Sequence, residues 1–419
     1  MKIGVASADI TPPVGIDLCG YLAREKPSLS VLDPLLAKAI YLEDAGEKLL
    51  LIAADVLAFR RDMVDAFRTW AREALHLEPR QILLAATHTH AGPATVQLNN
   101  CGCMDEPYLR QVAEKLREVA QRAMTSPQTC DAIAVEAPLH LAIDRRNQPS
   151  AHTDPRAMAI AFRRGDGSFI ATMMNYAMHP VALGTVNRQI SGDFCGYAAE
   201  ALSRNLPGNP LTLYTNGAAG NLNPPALDVT LDGLRAMGSA ISDALLPTLK
   251  SATAQAGHEL ACRLENVPLP LEAWDAEMID VVADRYAGRT WTAAPHWNRQ
   301  FIEAIEIWRR SMKQSITQPN HDILEFDLQV IRLAGVYLVA VNGEMFSRFT
   351  DCVREKTGRR NVYTIGYANR GFGYIPAAAA YTEGGYEVET AHFFYNSFRP
   401  KKGSLELLCD RAAHMIRHL

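Results

Sequence analysis

Two histidines in the segment Thr87-His88-Thr89-His90 carry the clearest chemical signal in the chain. The run before them, 82–86, is short, apolar and without helical period, as in a strand buried on both faces. In an extended backbone, side chains two residues apart point to the same side. The spacing therefore predicts that His88 and His90 face one volume at the strand's end, as a metal ligand and a proton-transfer partner. For this pair alone, histidines that simply hydrogen-bond to backbone carbonyls are an equal alternative.

Two further apolar runs end on a residue that can bind a metal. One ends at Met178-His179 and the other at Gly343-Glu344, and a turn follows each. Residues at strand ends converge when the strands share a sheet. Two histidines and one carboxylate are a standard ligand set for Zn²⁺, with a position left for water or substrate. A buried, unpaired Glu344 would be costly, so a nearby cation is the physical explanation we favour.

The elements that must position these residues alternate between strands and amphipathic helices. The predicted strands are 2–10, 37–43, 48–54, 82–86, 132–137, 140–143, 158–163, 169–176, 211–215, 259–269, 323–333, 336–341 and 362–365. The predicted helices are 61–75, 108–124, 198–206, 233–249, 346–356 and 404–418, with polar helices in 273–313. The pattern predicts an α/β protein in which a mixed β-sheet core is flanked by helices, with the metal site at the strand ends.

Composition limits the classes of function. The chain has 419 residues, 48% hydrophobic and 21% charged, which suits one large α/β domain or two domains. A net charge of -4 gives no indication of a nucleic-acid partner. No run approaches the roughly 20 apolar residues of a transmembrane helix, so we expect no integral membrane association. The oligomeric state is not indicated.

Two weaker features bear on location and redox chemistry. The N-terminal segment lacks the features of a signal peptide, and the eight cysteines are scattered, so we expect reduced thiols in the cytoplasm. Only Cys101 and Cys103 lie close together in sequence. We interpret them as part of a loop, with a soft-metal site or a vicinal disulfide as the alternatives.

In chain order, the motifs resemble those of the catalytic domain of the neutral ceramidases. They are Thr87 to Pro93, Ala177-Met178-His179-Pro180, Ser191-Gly192-Asp193, Gly217 to Pro224, Gly343-Glu344, and Gly366-Tyr367-Ala368-Asn369 through Tyr386-Glu387. The resemblance covers nearly the whole length. It predicts a single catalytic domain over 1–419, of the short bacterial type, with an insertion at 270–320 as a candidate cover for the substrate.

The resemblance also implies roles for individual residues. It implies that the zinc ligands are His88, His179, Glu344 and Tyr374. It places two further side chains, His90 and Tyr386, beside the metal-bound water and the scissile carbonyl, with Arg145 near the pocket. From the residues alone, the two tyrosines are equally well interpreted as core or gate aromatics. Asp55 and Asp193, near the expected site, are predicted to orient ligands or loops.

The predicted activity is zinc-dependent hydrolysis of an amide or ester bond in a small or medium substrate. His90 would move the proton, while Tyr386 and the metal would hold the oxyanion. The sequence contains neither a Gly-x-Ser-x-Gly elbow nor a phosphate-binding loop. The alternatives are a genuine ceramidase that acts on N-acyl sphingoid lipids, a zinc-dependent lactonase or lyase, and an inactive binding protein.

Three features favour a compact substrate over a long-chain ceramide, and the first is that we expect no signal peptide with which to reach extracellular lipid. Gly217-Ala218 stands where the ceramidases carry a Ser-Asn pair, so a hydroxyl near the metal is expected to be missing. We also expect no C-terminal β-sandwich of the kind that the longer ceramidases carry. An aromatic-rich stretch around Trp291, Trp297 and Trp308 could form a lid, although these side chains are also compatible with a core.

Overall fold

The computed structural model describes residues 1–22, 24–253, 259–289 and 295–419, the last range without the side chains of 295 and 296. Its strands are β1 (Lys2–Asp9), β2 (Ser30–Val31), β3 (Leu36–Asp44), β4 (Glu47–Ala54), β5 (Ile82–Ala86), β6 (Gln128–Thr129), β7 (Asp131–Pro138), β8 (Ile143–Asp144), β9 (Arg156–Arg163), β10 (Phe169–Tyr176), β11 (Gln189–Ile190), β12 (Leu211–Asn216), β13 (Leu222–Asn223), β14 (Ala261–Pro270), β15 (Ile323–Leu333), β16 (Val336–Val341), β17 (Glu344–Met345), β18 (Val362–Ile365) and β19 (Tyr374–Ile375). Its helices are α1 (Arg61–Leu75), α2 (Glu106–Thr125), α3 (Asp193–Asn205), α4 (Leu231–Ser251), α5 (Ala276–Ala287), α6 (Pro295–Ser315), α7 (Arg348–Thr357), α8 (Ala380–Glu383), α9 (Tyr386–Glu389), α10 (Ala391–Tyr395) and α11 (Ser404–Arg417), with a 3₁₀ turn at Pro79–Gln81.

Three mixed sheets form the core, and each contains one parallel pair. Their strand orders are β5-β4-β3-β1-β6, β12-β10-β9-β7 and β14-β15-β16-β18. The parallel pairs are β4 with β5, β10 with β12, and β16 with β18. The predicted site residues follow β5, β10 and β16 along the chain. The site therefore lies at the carboxyl ends of parallel strands.

Helices cover one face of each sheet, while the other faces meet in the centre. One buried cluster joins α1 and α2 to the first sheet, a second joins α3 and α4 to the second, and a third joins α7 and α11 to the third. A separate cluster contains apolar side chains from all three sheets, among them Leu51, Met173 and Leu338. The α/β fold with mixed sheets flanked by helices is therefore confirmed.

The long periodic elements form where the sequence predicts them. In α1 the buried residues Val64, Phe67 and Ala71 lie on one face, as the 3.6-residue period requires. Asp105 caps α2 by accepting a hydrogen bond from the backbone N–H of Tyr108 at 2.8 Å. The predicted hairpins, β3 with β4 and β15 with β16, are both antiparallel.

Two predicted elements differ from the structure. The strand expected at 140–143 is reduced to Ile143–Asp144, because the Tyr176 hydroxyl accepts hydrogen bonds from the N–H groups of Leu141 and Ala142. Those groups consequently do not pair with a strand. The helix expected at 198–206 begins earlier, at Asp193, whose φ of 55° marks the turn into it.

The predicted substrate cover at 270–320 contains α5 and α6. Trp308 in α6 is fully buried and donates a hydrogen bond from Nε1 to the Ser397 carbonyl at 2.8 Å, so it belongs to the core and not to a lid. Trp291 lies outside the described residues. None of the helices in the described ranges is long and apolar enough to cross a bilayer.

Candidate metal centre

Three of the four predicted ligands follow strands of three different sheets. His88 follows β5, His179 follows β10, and Glu344 begins β17, just after β16. All three are buried, and their side chains meet at one place. The convergence of strand ends that the sequence predicts is therefore present.

The expectation that His88 and His90 lie on an extended backbone is wrong. β5 ends at Ala86, and His88 has a φ of 69°, so the segment is not an extended strand. The His88 N–H donates to the Val56 carbonyl at 3.0 Å, and the Thr89 hydroxyl donates to the Ser191 carbonyl at 2.8 Å. These tertiary bonds turn the chain, and they hold a left-handed residue of the kind that clusters at functional sites.

Three imidazole Nε2 atoms point at one another. The His88 Nε2 lies 3.1 Å from that of His179 and 3.3 Å from that of His90. The Nδ1 of His88 is 2.6 Å from the Leu57 carbonyl, and the Nδ1 of His179 is 3.0 Å from the Ala219 carbonyl. A carbonyl only accepts, so both Nδ1 atoms carry the proton and both Nε2 atoms present lone pairs. Two lone pairs at this distance repel each other unless a metal ion or a proton lies between them.

Glu344 completes the group. Its side chain is 2% exposed, and its Oε2 lies 3.5 Å from the His88 Nε2 and 3.3 Å from the His179 Nε2. Among the described residues this Oε2 has no hydrogen-bond donor. Four ligands at 2.0–2.1 Å around a tetrahedral Zn²⁺ lie about 3.3 Å apart, so the observed triangle of two nitrogens and one oxygen fits such an ion.

Burial keeps the imidazoles of His90 and His179 neutral. It lowers the pKa of both His90 and His179 well below the usual range, and the neighbouring His88 adds to the effect. Neutral imidazoles are the metal-binding form. His88, His90 and His179 together have the spacing of a metal-binding group.

Tyr374 and Arg145 lie beside the carboxylate. Tyr374 is directly opposite Glu344 in the parallel pairing of β19 with β17. Arg145 donates from Nη2 to the Tyr374 hydroxyl at 3.1 Å and to the Gly220 carbonyl at 2.7 Å, and from Nε to Glu387 at 2.9 Å. Burial, followed by the charge of Glu344, raises the pKa of Tyr374. A bound cation would act in the opposite direction.

A cavity of about 200 Å³ opens onto His88 and His90. Tyr386 lines it and is 44% exposed, with its ring 5.6 Å from that of Tyr374. Buried Cys101 also lines this cavity, whereas Cys103 is exposed, and both thiols are free, as expected of a loop. All seven predicted site residues are thus within one region.

Several supporting residues were not predicted. The Tyr367 ring stacks on the His88 ring at 3.8 Å between centroids. Asn216 accepts from the Met178 N–H and donates to the Met178 carbonyl, which fixes the peptide before His179. Tyr395 donates a hydrogen bond to Oε1 of Glu344. The only sequence signal for Tyr395 is its place in the glycine- and aromatic-rich segment 366–400.

Two residues of the segment after β1, Gly20 and Arg24, contact His90. Arg24 donates to the His90 carbonyl at 2.8 Å, and the His90 N–H donates to the Pro180 carbonyl at 3.2 Å. Gly20, with φ of 102°, lies so close that a Cβ there would be 2.3 Å from the His90 Nδ1. Only glycine therefore permits this arrangement.

The Gly217-Ala218 loop does not support the compact-substrate argument. A Cβ at Gly217 would lie 2.7 Å from that of Ala177, and Ala218 is buried in the hydrophobic cluster of the third sheet. Among the described residues, neither cavity that contacts His88 is lined by this loop. A side chain at 217 would meet the chain after β10 and not the metal centre.

Comparison with known proteins places this site in context. No protein-family model matches the chain. The neutral ceramidases of Drosophila melanogaster and Drosophila pseudoobscura pseudoobscura are each 22% identical to it over 236 residues, which are 50% of this chain. The match spans about a third of the length of these curated relatives, at 33%.

Solved structures match over the whole chain. The crystal structure of neutral ceramidase from Pseudomonas aeruginosa has a TM-score of 0.77 at 18% identity and covers 100% of this chain and 75% of that one. A structure described as ceramidase complexed with C2 has a TM-score of 0.76 at 17% identity, with the same coverage. The predicted resemblance is confirmed: the chain has the fold of the neutral ceramidases throughout and is related to them in sequence over half its length.

Proposed function

We propose that the chain is a zinc-dependent hydrolase that cleaves an amide or ester bond in a small or medium substrate. One observation carries the proposal. The unprotonated Nε2 atoms of His88 and His179 and the unpaired Oε2 of Glu344 form a buried triangle with edges of 3.1 to 3.5 Å. Without a cation, this arrangement places three electron-rich atoms against one another in a buried site.

The ligand set we propose is His88, His179, Glu344 and Tyr374. Bound zinc would supply a water of lowered pKa and polarise the carbonyl of the substrate. Tyr374 is included because it pairs in register with Glu344 and because the Arg145 guanidinium stabilises a phenolate at its hydroxyl. Arg145 is thereby assigned to holding Tyr374.

Two side chains then remain for proton transfer and oxyanion binding. His90 is neutral, and its Nε2 lies 3.3 Å from that of His88, so it can accept a proton beside the metal and pass it to the leaving nitrogen. Tyr386 lines the same cavity and carries a hydroxyl that can donate to the developing oxyanion. We propose a single catalytic domain over 1–419, in which α5 and α6 pack behind the cavity wall, against Leu57, Leu98 and Phe394.

The sizes of the cavities at His88 support a small or medium substrate. The cavity that also contacts His90 is about 200 Å³ and the other is about 180 Å³, each below the usual 300–1,000 Å³ of a drug-sized site. A second candidate is a long-chain N-acyl sphingoid lipid, which is favoured by the ceramidase names of the relatives and of the solved structures.

The test compares substrates on one preparation. The purified protein is stripped of metal with a chelator, reloaded with Zn²⁺, and assayed on short N-acyl amides, esters, lactones and a fluorescent long-chain ceramide in detergent. We expect the highest kcat/KM on a short N-acyl amide or ester, loss of activity on chelation, and recovery with Zn²⁺. His179→Ala serves as the metal-site control and is expected to be inactive.

Other results would change the assignment. A ceramide kcat/KM well above those of all the small substrates would select the second candidate. Preference for a lactone would select the lactonase alternative. If the wild type holds no stoichiometric metal and His179→Ala leaves activity unchanged, the proposed function is refuted.

A further inference from the structure

We infer that Tyr395 is a positioning residue of the metal centre, which fixes the Glu344 carboxylate by donating a hydrogen bond to its Oε1. The inference rests on the proposed function and deepens it, because it assigns a residue outside the ligand set and outside the proton-transfer pair. Its predicted effect is on metal affinity, which is measurable without turnover.

The two oxygens of Glu344 have different surroundings. Oε1 accepts from the Tyr395 hydroxyl, while Oε2 has no donor among the described residues and lies 3.3 Å from the His179 Nε2. A carboxylate rotates freely about its last bond unless one oxygen is held. The hydrogen bond from Tyr395 therefore selects which oxygen faces the imidazoles, and it satisfies the oxygen that faces away from the metal site.

The position of Tyr395 is itself fixed by its neighbours. It ends the short helix α10, whose backbone is tied to the 98–101 loop: Asn99 donates from Nδ2 to the Phe393 carbonyl at 2.8 Å and from its N–H to the Phe394 carbonyl at 2.9 Å. The next turn is tied to α6 by the bond from Trp308 to the Ser397 carbonyl. A residue held at both ends in this way can set the orientation of its hydrogen-bond partner.

The absence of a side chain at Gly373 lets the Tyr395 ring come close enough to contact Glu344. A Cβ at Gly373 would lie 2.8 Å from the Cδ2 of Tyr395, so the ring packs directly on the backbone of Gly373. The Gly373 carbonyl in turn accepts the N–H of Glu344 at 3.1 Å. The backbone and the side chain of Glu344 are thus both held by residues that contact each other.

Tyr395 also lines both cavities that meet at His88, one of about 200 Å³ and the other of about 180 Å³. Removing the hydroxyl alone keeps this wall intact. Tyr395→Phe therefore separates the hydrogen bond from the shape of the pocket. Tyr381→Phe is a matched control, because Tyr381 is also partly buried and its hydroxyl donates to the Pro400 carbonyl at 2.6 Å, outside the site.

The experiment measures metal binding by the full chain. Metal-free wild type, Tyr395→Phe and Tyr381→Phe are titrated with Zn²⁺ against a competing chromophoric chelator, and the Co²⁺ forms are compared by visible absorption. We expect Tyr395→Phe to bind Zn²⁺ about 10–100-fold more weakly, with the Co²⁺ absorption of the wild type. Tyr381→Phe is expected to match the wild type in both measurements.

Two outcomes would overturn the inference. Equal Zn²⁺ affinity of Tyr395→Phe and wild type would show that the hydrogen bond does not position the carboxylate. A Co²⁺ spectrum that changes on Tyr395→Phe would identify Tyr395 as a ligand. Should Tyr395→Phe fail to fold, Gly373→Ala, which displaces the ring but keeps the hydroxyl, must weaken Zn²⁺ binding. A wild type that binds no metal refutes the proposed function, and this inference with it.

Discussion

The placement of protons supports the proposed division between the residues that would hold a metal and the residue that would move a proton. His88 and His179 each donate a hydrogen bond from Nδ1 to a backbone carbonyl. The Nε2 of each ring is therefore unprotonated and can only accept. Among the described residues the Nδ1 of His90 has no such short bond to a carbonyl, so its proton is less firmly fixed than theirs. A residue that changes tautomer suits proton transfer better than ligation.

This difference predicts distinct effects of three alanine variants. His88→Ala and His179→Ala should each lose both the metal and the activity, because each removes one corner of the ligand triangle. His90→Ala should retain the metal and lose about 10²–10⁴-fold in kcat. Elemental analysis and kinetics on the same preparations provide the measurement, with His414→Ala on the surface of α11 as the control. If His90→Ala also loses the metal, His90 is a third nitrogen ligand.

At the scale of the element, strong periodicity made most of the fold predictable. The apolar face of α1 and the buried strands β5 and β10 have the predicted bounds, because burial against a neighbouring layer imposes their patterns. Segment 366–400 could not be predicted, because its helices α8 to α10 have only four or five residues each. Such short helices cannot show a helical period.

The site residues were predictable by type and only partly by conformation. The turn at His88 depends on the Val56 carbonyl, and the contact of Tyr395 with Glu344 joins residues 51 positions apart. Neither leaves a pattern in local sequence. The motif resemblance supplied what periodicity could not, which is why Tyr374 was predicted and Tyr395 was not.

The contact between Gly20, in the segment after β1, and His90 can be tested by substitution. Gly20→Ala introduces a Cβ that would lie 2.3 Å from the His90 Nδ1, whereas Gly46→Ala, in the β3–β4 turn, has open space around it. Both positions are left-handed, with φ of 102° and 87°, so both variants should lose a similar roughly 1–2 kcal/mol of stability from backbone strain. Only Gly20→Ala should also reduce kcat/KM, by about 10²-fold, because it displaces His90.

Urea unfolding and steady-state kinetics of the two glycine variants measure these effects. If both variants keep the kcat/KM of the wild type, the contact of Gly20 with His90 has no functional consequence. A similar loss in both would attribute the effect to general strain.

At the scale of the whole molecule, the packing of three sheets and their helices buries charged groups away from the metal centre. Asp55 follows β4 and accepts a hydrogen bond from the Leu36 N–H at 2.9 Å, with Lys38 as the nearest opposing charge. Burial lowers the pKa of Lys38 and raises that of Asp55 to about 6. Asp193, at the start of α3, is likewise raised to about 6 by burial. These carboxyls orient loops, as the sequence predicts, at a cost in stability when they ionise.

The stability that Asp55 contributes falls as the pH rises, which is the opposite of the behaviour of most carboxylates. The native pKa of Asp55, about 6, exceeds the ordinary 3.8, so the folded chain binds the proton more tightly than the unfolded chain between these values. Stability from this group is therefore highest below pH 4 and falls as the pH rises to about 6–7. Relative to Asp55→Asn, the wild type should lose up to about 3 kcal/mol over that range and change little above it.

Urea unfolding of both proteins between about pH 2.5 and 8 tests this, with Asp351→Asn as the control of opposite sign, whose effect is expected below about pH 4. The hydrogen bond from His152 lowers the pKa of Asp351, so that carboxylate contributes stability that is lost as the pH falls. A wild type that gains stability over Asp55→Asn with rising pH would show that Asp55 is stabilised as a carboxylate, with Lys38 outweighing the effect of burial.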